Sequence, residues 1–560
     1  MAISRKKEKR ILPVVVVLVL VAILLLIAVL TENKPNTLRV DLTGFFNSKD
    51  GSFAVVRDNV LSHEDFIVRD GVVYTSVSYL QEKLNKRFFY DQTEEMLLYT
   101  LPWGTHTAGL SSIYEEAPVL INQGKTVYVQ LKYIAQFTAV SWELIPEPRR
   151  LVMRTVFGES GEVEALGETV VRTGPSVRNP ILCVLNPGEK VNYLEEQAEW
   201  NYICTKDGIP GYVAKSEVSA PRIVQTEAPY KELPYESRPA LEDNICLMWH
   251  QVKVKAENAD LEKLLAKTHG ITVVSPTWLF LKDHAGNFDS SADPSYVEKA
   301  HARGIKVWIL LNNMDHSIYG DDLISNFNVT SHRRNLIQGI MRVLKETGAD
   351  GINVDIESLP SAGGPGFLQF IRELSVACHN AGYVLSVDNY VPSPWTAHYD
   401  RQEQALFADY LIVMAYDEHY AGSAAGSSAS LPFVIKGVED SLKQVPAKKL
   451  ICGVPFFTRL WVGGGDKPAS THVAMNEIDG YISRYNLSPV WNMELGQYYA
   501  EFSIEGELAR LWIEDAESMA LRLENLTSYG LAGLSAWCLG MESDDVWSAF
   551  KHFYNQNTVK

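Results

Sequence analysis

One pattern in the second half of the chain restricts its fold more than any other. Apolar stretches suited to buried strands recur as ICLMWHQV, ITVVSPTWLFL, IKVWILLN, GINVDIE, YVLSVDNYV, DYLIVMAYD, KLICGVPFF and LAGLSAWCLG. Helical patterns separate the first seven, and a longer segment, residues 457–530, precedes the eighth. Parallel strands need a crossover connection, usually a helix. Eight strand-then-helix units therefore predict an α/β fold: a closed (β/α)8 TIM barrel with an insertion before its last strand. The barrel is expected over residues 244–557. Sites on this architecture lie at the C-terminal ends of the strands. Polar side chains collect there: Trp278, Asn312 and Asn313, Asp355 and Glu357, Asp388 to Tyr390, Tyr416 and Asp417, and Trp537.

The fourth stretch, ADGINVDIESL from Ala349 to Leu359, alternates strictly. Ile352, Val354 and Ile356 are branched and apolar, and Asn353, Asp355 and Glu357 fall between them. Successive side chains of a strand point to opposite faces, so one face packs while the other carries an amide and two carboxylates. An edge strand wetted on one side would tolerate that row, and so would a metal site. Against the edge, the amphipathic helices RRNLIQGIMRVLKETG and GFLQFIRELSVACHNAG flank the strand, as in a covered parallel sheet. Against the metal, one strand supplies only closely spaced oxygens, and no H-E-x-x-H or Cys/His cluster completes a set. Covered acids are costly unless they serve chemistry. The row reads as catalytic, lying inside the barrel and rising to its mouth, with no metal or cofactor expected.

The rest of the 560-residue chain reads as several modules. A formal charge of -17 argues against nucleic acid as a partner. Cysteines at 183, 204, 246, 378, 452 and 538 are too few and dispersed for a disulfide framework. Cys183 and Cys204 share a small β-rich segment and could pair; the other four read as buried thiols. At the N-terminus a basic segment, residues 1–10, precedes ILPVVVVLVLVAILLLIAVL, Ile11 to Leu30, which holds no charge. At about 1.5 Å per residue this stretch can cross a bilayer's hydrocarbon core. The basic flank is expected to stay cytoplasmic. The expectation is an uncleaved, single-pass transmembrane anchor with the rest of the chain outside the cell membrane, a cleaved signal being the alternative.

An internal repeat follows. VVYTSVSYLQEKLNKRFFYDQTEEMLLYT from Val72 and TVYVQLKYIAQFTAVSWELIPEPRRLVMRT from Thr126 each open on a Val-Tyr strand. Each continues into a helix carrying Tyr79-Leu80 or Tyr133-Ile134, then an aromatic strand, a turn and a last strand. This α+β repeat module, residues 36–157, resembles the copper amine oxidase N-terminal-like domain of bacterial envelope proteins, which implies a spacer or interaction module. Copper is not implied, because His63 and His106 form no cluster. Residues 165–220 hold short strands broken by Gly-Pro, Pro-Gly and Asp-Gly turns, the pattern of a small β-barrel. Val171-Arg172, Gly174-Pro175-Ser176, Gly188, Trp200 and Gly211-Tyr212-Val213 give it a resemblance to bacterial Src-homology-3-like (SH3-like) domains. That resemblance implies binding to cell-wall peptides or neighbouring envelope modules. Trp200 and Tyr212 could serve a groove or pack in a core. Residues 221–243, with prolines at 221, 229, 234 and 239, read as an extended linker.

In the barrel region the motifs resemble glycoside hydrolase family 18, in the style of its bacterial cell-wall and spore-lytic members. That family carries D-x-x-D-x-D-x-E on its fourth strand; Asp350, Asp355 and Glu357 match it, and Asn353 replaces the middle Asp. Met414, Tyr416 and Asp417 match its Met-x-Tyr-Asp pattern on the sixth strand, and Trp537 stands where the family keeps a tryptophan on the eighth. The resemblance implies substrate assistance, in which the N-acetyl oxygen of the sugar attacks its own anomeric carbon. Glu357, furthest along the strand, would be the acid. Asp355 would orient the acetamido N–H, and Tyr416 would donate to the acetyl oxygen. Trp537 would floor the sugar ring, with Asn353, Asp417, Met414 and Trp278 as further expected substrate contacts. Asp350 is out of phase with the row and reads as structural support. Asn353 cannot ionise but can hydrogen-bond Asp355. Asp355 and Glu357 lie two positions apart on one face, roughly 6–7 Å between Cα atoms, close enough to raise one pKa.

The function these residues imply is a membrane-anchored, extracytoplasmic hydrolase of the chitinase or N-acetylglucosaminidase type. Its N-acetylated glycan would be peptidoglycan or spore cortex rather than chitin. The alternatives are a glycan-binding protein with little turnover and an envelope scaffold. The presence of Glu357 weighs against the binding protein.

Overall fold

The computed structural model describes residues 15–23, 34–47, 53–62, 65–234, 244–314 and 318–557. Of the expected anchor, residues 15–23 fall among them, as a helix with exposed apolar side chains such as Leu18. The remainder of Ile11 to Leu30 and the basic segment lie outside the described residues. Among the described residues no helix is long and apolar enough to cross a membrane. The chain divides into two compact units, residues 1–86 with 111–232 and residues 87–110 with 233–560.

In the first unit both repeat copies open alike. Strands Val72–Ser76 and Thr126–Gln130 pair antiparallel, with Tyr128 opposite Ser76. Each runs into a short helix, Val77–Tyr79 or Leu131–Ile134, and the first is capped by the Ser76 hydroxyl, which accepts from Tyr79 N at 3.2 Å. The copies then part. The hairpin of the second, Ser141–Ile145 with Arg150–Arg154, joins the strand Ala54–Arg57. The hairpin of the first, Phe89–Asp91 with Met96–Leu101, belongs to the other unit.

The SH3-like segment is a seven-stranded antiparallel sheet around Val163, Val171, Leu185, Val191, Ile203 and Val213. Its last strand, Arg222–Thr226, pairs with Gly158–Glu164. The expected linker therefore begins as a sheet strand. An edge strand offers unpaired N–H and C=O groups, and the chain leaving the barrel satisfies them. Residues 235–243 of that linker lie outside the described residues. Cys183 and Cys204 are free thiols, and burial pushes both up to about 12. Tyr212 packs against Tyr202 with ring centroids 4.9 Å apart.

The second unit holds the barrel. Its strands are β1 (Ile245–His250), β2 (Val273–Leu281), β3 (Lys306–Asn312), β4 (Gly351–Asp355), β5 (Val384–Tyr390), β6 (Tyr410–Met414), β7 (Leu450–Pro455) and β8 (Gly533–Trp537). Each pairs in parallel with the next, and β8 pairs with β1 to close the ring. The period of two sorts the side chains. Leu247, Trp249, Val273, Trp308, Leu310 and Ile412 pack inside. Met248, Val274, Ile309, Ile352, Val354 and Ile356 join the helix layer. The acidic row of β4 consequently faces inward, as its alternation predicts.

Helices α1 (Thr330–Thr347) and α2 (Gly364–Ala381) flank β4. Leu336, Ile340 and Leu344 bury one stripe of α1, which stops where Gly348 takes a φ of 74°, a left-handed turn that glycine allows without strain. The hairpin from the first repeat copy docks on these helices. Val329 cannot cap α1 with its side chain; instead Asp91 Oδ2 accepts from Thr330 N at 2.6 Å and Glu94 Oε1 from Ser331 N at 3.2 Å. Arg333, fully buried, lies over the Phe89 ring at 4.7 Å and pairs with Glu373 of α2 at 3.1 Å. Buried Glu403 accepts from Arg87 at 2.6 Å and from Arg372 at 3.0 Å. Breaking such a pair leaves a desolvated charge, so these contacts hold residues 87–110 to the barrel body.

The insertion between β7 and β8 forms a five-stranded antiparallel sheet in the spatial order Ala469–Ala474, Phe457–Val462, Glu507–Ile513, Gln497–Ile504, Val490–Asn492. A buried Arg522–Glu514 pair at 2.7 Å, with Arg522 also donating to Ala429 O at 2.7 Å, ties it to the barrel.

Candidate active site

A cavity of about 240 Å³ opens at the C-terminal ends of the strands, lined by Asp355, Glu357, Tyr390, Met414, Tyr416, Asp417, Phe457, Arg459, His472 and Trp537. The inward row of β4 supplies its two adjacent acids. Asp355 is buried, and its Oδ1 has no hydrogen-bond partner among the described residues. Burial holds its carboxyl well above the usual range, with Glu357 and Asp388 adding to the rise.

Glu357 is half-buried two residues past the end of the strand. Asn313 pins its backbone from both sides, accepting from Glu357 N at 2.9 Å and donating to Glu357 O at 3.0 Å. The Tyr390 hydroxyl donates to Glu357 Oε2 at 2.8 Å and accepts from Ser358 N at 3.1 Å. Burial raises the Glu357 carboxyl, the Tyr390 hydrogen bond draws it back, and Asp417 adds to the rise. Ser358 holds a φ of 54°, a left-handed conformation costly for a residue with a side chain. The turn is kept by Tyr399, whose hydroxyl accepts from Leu359 N at 3.2 Å and donates to Ile356 O at 2.9 Å.

Two expected substrate contacts lie elsewhere. Asn353 is fully buried beneath the cavity. Its Nδ2 donates to Asp388 Oδ1 at 2.8 Å, and its Oδ1 accepts from Trp249 Nε1 at 2.9 Å and Ser275 Oγ at 3.3 Å. Its expected bond to Asp355 is therefore replaced by one to Asp388. Side chains inside a barrel stack in layers contributed by several strands, and Asn353 sits one layer below the acids. Trp278 is also fully buried, and its Nε1 donates to Asn258 Oδ1 at 2.8 Å. It shares the parity of Val274 on β2, so the pleat turns it to the helix layer, against Tyr296 at 5.1 Å.

The other expected residues gather as read. Met414, Tyr416, Asp417 and Trp537 all line the cavity. Burial and the neighbouring carboxylates push the Tyr416 hydroxyl well above its ordinary value, so it stays a donor at neutral pH. Trp249 lies 6.0 Å from Trp537 and 6.4 Å from Tyr416, ring to ring, and extends their apolar floor. Asp417 accepts from Arg459 at 3.0 Å. Asp350 stands away from the cavity, its Oδ2 2.8 Å from both Val307 N and His301 Nε2, where it links the start of β4 to β3.

Five further residues bear on the site. Asp388, buried on β5, has its Oδ2 without a partner among the described residues, and burial holds its carboxyl well above the usual range. Its place and that of Tyr390, two positions on, were visible as a polar strand end. Phe457, Arg459 and His472 come from the insertion, with Arg459 opposite His472 in register and His472 stacked on Phe457 at 4.2 Å. Burial and the Arg459 charge lower the His472 pKa, which keeps the ring neutral at pH 7. No local pattern in the sequence marks these three. Together the cavity joins two carboxyls whose proton affinity burial raises, a hydroxyl donor and an aromatic floor.

Residues 265–542 match the family model described as Glycosyl hydrolases family 18. The barrel is a family 18 domain. Residues 167–219 match the family model described as Bacterial SH3 domain. A Bacillus subtilis (strain 168) protein named as a sporulation-specific glycosylase is 26% identical over 257 residues, 44% of this chain and 60% of that one. A cortical fragment-lytic enzyme of the same organism is 21% identical over 259 residues, again 44% of this chain and 60% of the relative. The chain thus spans 60% of the length of each of these curated relatives. A solved chitinase from Chromobacterium violaceum ATCC 12472 superimposes with a TM-score of 0.50 at 23% identity, covering 56% of this chain and 99% of that one, which shows a shared fold. The family model and these relatives support a glycoside hydrolase, and the cavity holds two adjacent acids, Asp355 and Glu357.

Proposed function

We propose that the family 18 domain hydrolyses a glycan containing N-acetylglucosamine, with retention, through the acetamido group of the substrate itself. One observation carries this reading: Asp355 and Glu357 rise from a single strand, and the remaining carboxylate of the cavity, Asp417, is paired with Arg459. Two acids on one strand cannot flank a glycosidic bond from opposite sides, as a carboxylate nucleophile requires. Glu357, whose carboxyl is raised, gives its proton to the leaving oxygen. Asp355 Oδ1, unpartnered, takes the acetamido N–H, and Tyr416 donates to the acetyl oxygen. The acetyl oxygen bonds to the anomeric carbon as the glycosidic C–O bond breaks. Water then opens the oxazolinium ring, and the Glu357 carboxylate takes up the proton that water gives up. Trp537 supports the sugar from below.

The glycan class proposed is peptidoglycan or spore cortex. The SH3-like domain supports it, as do relatives named for sporulation and cortical fragments. Ile11 to Leu30, uncharged behind a basic flank, would anchor the chain with its hydrolase outside the cell membrane. Protease added to intact protoplasts should then digest the barrel; complete protection until lysis would overturn that orientation.

Purified peptidoglycan tests the chemistry. The parent should release reducing ends, and Glu357→Gln, which keeps size and hydrogen bonding, should release at least about 100-fold fewer. Proton NMR should show the first anomer with its configuration retained. An inverted anomer would remove the acetamido from its role, and equal release by the variant would remove Glu357 from its own.

A further inference from the structure

Two buried carboxylate oxygens have no hydrogen-bond partner among the described residues, Asp355 Oδ1 and Asp388 Oδ2. Strand register puts their side chains next to each other. Asn353 on β4 lies opposite Ser386 on β5, and Val354 opposite Val387. One step further along both strands sets Asp355 beside Asp388 on the inward face, at the interstrand spacing of about 4.8 Å. Two buried anions that close would repel, so such a pair resists losing its last proton. Asn353 decides where that proton sits. The indole Nε1 of Trp249 can only donate, so the Asn353 atom 2.9 Å from it is the carbonyl oxygen, which also accepts from Ser275 at 3.3 Å. The amide nitrogen is thereby turned to Asp388 Oδ1, to which it donates at 2.8 Å. Oδ1 is engaged as an acceptor, and Oδ2 is left to carry the proton.

We infer that Asp388 is a positioning residue: it keeps a proton on Oδ2 and donates it, as a hydrogen bond, to Asp355, which is thereby held as an anion. The inference rests on the hydrolase reading above, in which Asp355 meets the acetamido group. Asp388 does not reach the sugar, being 2% exposed and not among the residues that line the cavity. The titratable groups around the pair are Glu357 on β4, Tyr390 on β5, Tyr399 after it, and Tyr416 and Asp417 after β6. From the insertion come His472, held neutral, and Arg459, whose charge lies with Asp417 at 3.0 Å. The inward side chains of β1, β2, β3 and β8, namely Trp249, Ser275, Asn312 and Trp537, do not titrate near neutral pH. Burial and the charge of Glu357 raise both carboxyls of the pair. One retained proton leaves the pair a single negative charge, in place before the positive oxazolinium ring forms. The proton stays on Asp388 through both steps, so none is consumed.

Two variants of the full chain separate this role from a structural one. Asp388→Leu keeps much of the volume and removes the donor. Asp388→Asn keeps an acceptor for Asn353 and a donor for Asp355. On peptidoglycan glycan strands Asp388→Leu should lose about tenfold in kcat with KM within about twofold, the size of one hydrogen bond to a charged group. Without its donor Asp355 takes up a proton more readily, so the acid limb of the kcat profile should move to higher pH by about one unit. Asp388→Asn should bring kcat back to within about threefold of the parent and return the limb. In an Asp355→Asn background Asp388→Leu should cost no more than about twofold, because the group it acts through is gone. Infrared spectra give a reading independent of turnover. At pH 7 the Glu357→Gln chain should show the carbonyl stretch of a protonated carboxyl, shifted in D2O, that disappears when Asp388→Asn is added. An acid limb unmoved in Asp388→Leu, an equal loss in the Asp355→Asn background or an unchanged infrared band would each overturn the inference while the hydrolase reading stands. If the parent cleaves no strands, the hydrolase reading fails, and the role of Asp388 fails with it, whatever the band shows.

Discussion

The Tyr390 hydroxyl donates to Glu357 at 2.8 Å while accepting from the backbone of the very next residue, Ser358, at 3.1 Å. The donor is thereby fixed by the same turn that carries the acid. Its effect is to favour the ionised carboxylate, in opposition to burial, which favours the proton. The proposed acid is thus held between two opposing influences, and its proton affinity can be moved by touching either one.

Tyr390→Phe removes the donor and leaves the burial. The Glu357 carboxyl should then rise further. Loss of the acid's proton sets the alkaline limb of the rate profile, so that limb should move to higher pH by about one unit, with a lower plateau from poorer orientation. The kcat/KM–pH profiles of parent and variant on the same glycan check this. A limb that stays in place would show that another group sets it.

Asp388→Asn should stabilise the protein at neutral pH. The folded-state pKa of Asp388 is raised above its unfolded value, chiefly by burial. A group raised in this way contributes stability that is fully present below its unfolded pKa and is lost as pH rises through the folded one. At pH 7 the parent is past the start of that loss, whereas the amide has nothing to ionise and still accepts from Asn353. Thermal or urea unfolding should show the variant more stable than the parent by about 1 kcal/mol or more at pH 7. Near pH 4 the gain should be small. A variant destabilised at pH 7 would mean the Asp388 charge is needed.

Asp91→Ala should weaken the barrel from outside it. The side chain caps α1 at Thr330 N, where Val329 offers no cap of its own. Loss of an N-cap costs about 1–2 kcal/mol. Urea unfolding followed by barrel tryptophan fluorescence should show that loss, and Asp91→Asn, which can still accept, should recover most of it. An unchanged midpoint for Asp91→Ala would show that the hairpin does not support α1.

Much of the site was legible because a strand repeats every two residues. The parity of Asn353, Asp355 and Glu357 against Ile352, Val354 and Ile356 placed the acids inside, and the ends of β6 and β8 yielded Met414, Tyr416, Asp417 and Trp537. The same rule, applied only to strand ends, misplaced Trp278. Its parity with Val274 turns it away from the mouth. Asn353 had the right face but the wrong depth, since the sequence of one strand does not say which layer of the barrel its neighbours fill.

The sequence by itself determined what depends on adjacent residues: eight buried strands, their inward faces, the turns of the SH3-like domain and the doubled strand-helix opening of the repeat. Only the tertiary structure decided which distant segments meet. Arg459 reaches Asp417 across 42 positions, and Asp91 caps Thr330 across 239. Backbone period is a local property, carried by the order of side chains along a few residues. Pairing across a fold is set by how whole elements pack, and the hairpins of the two repeat copies, alike in pattern, lie in different sheets.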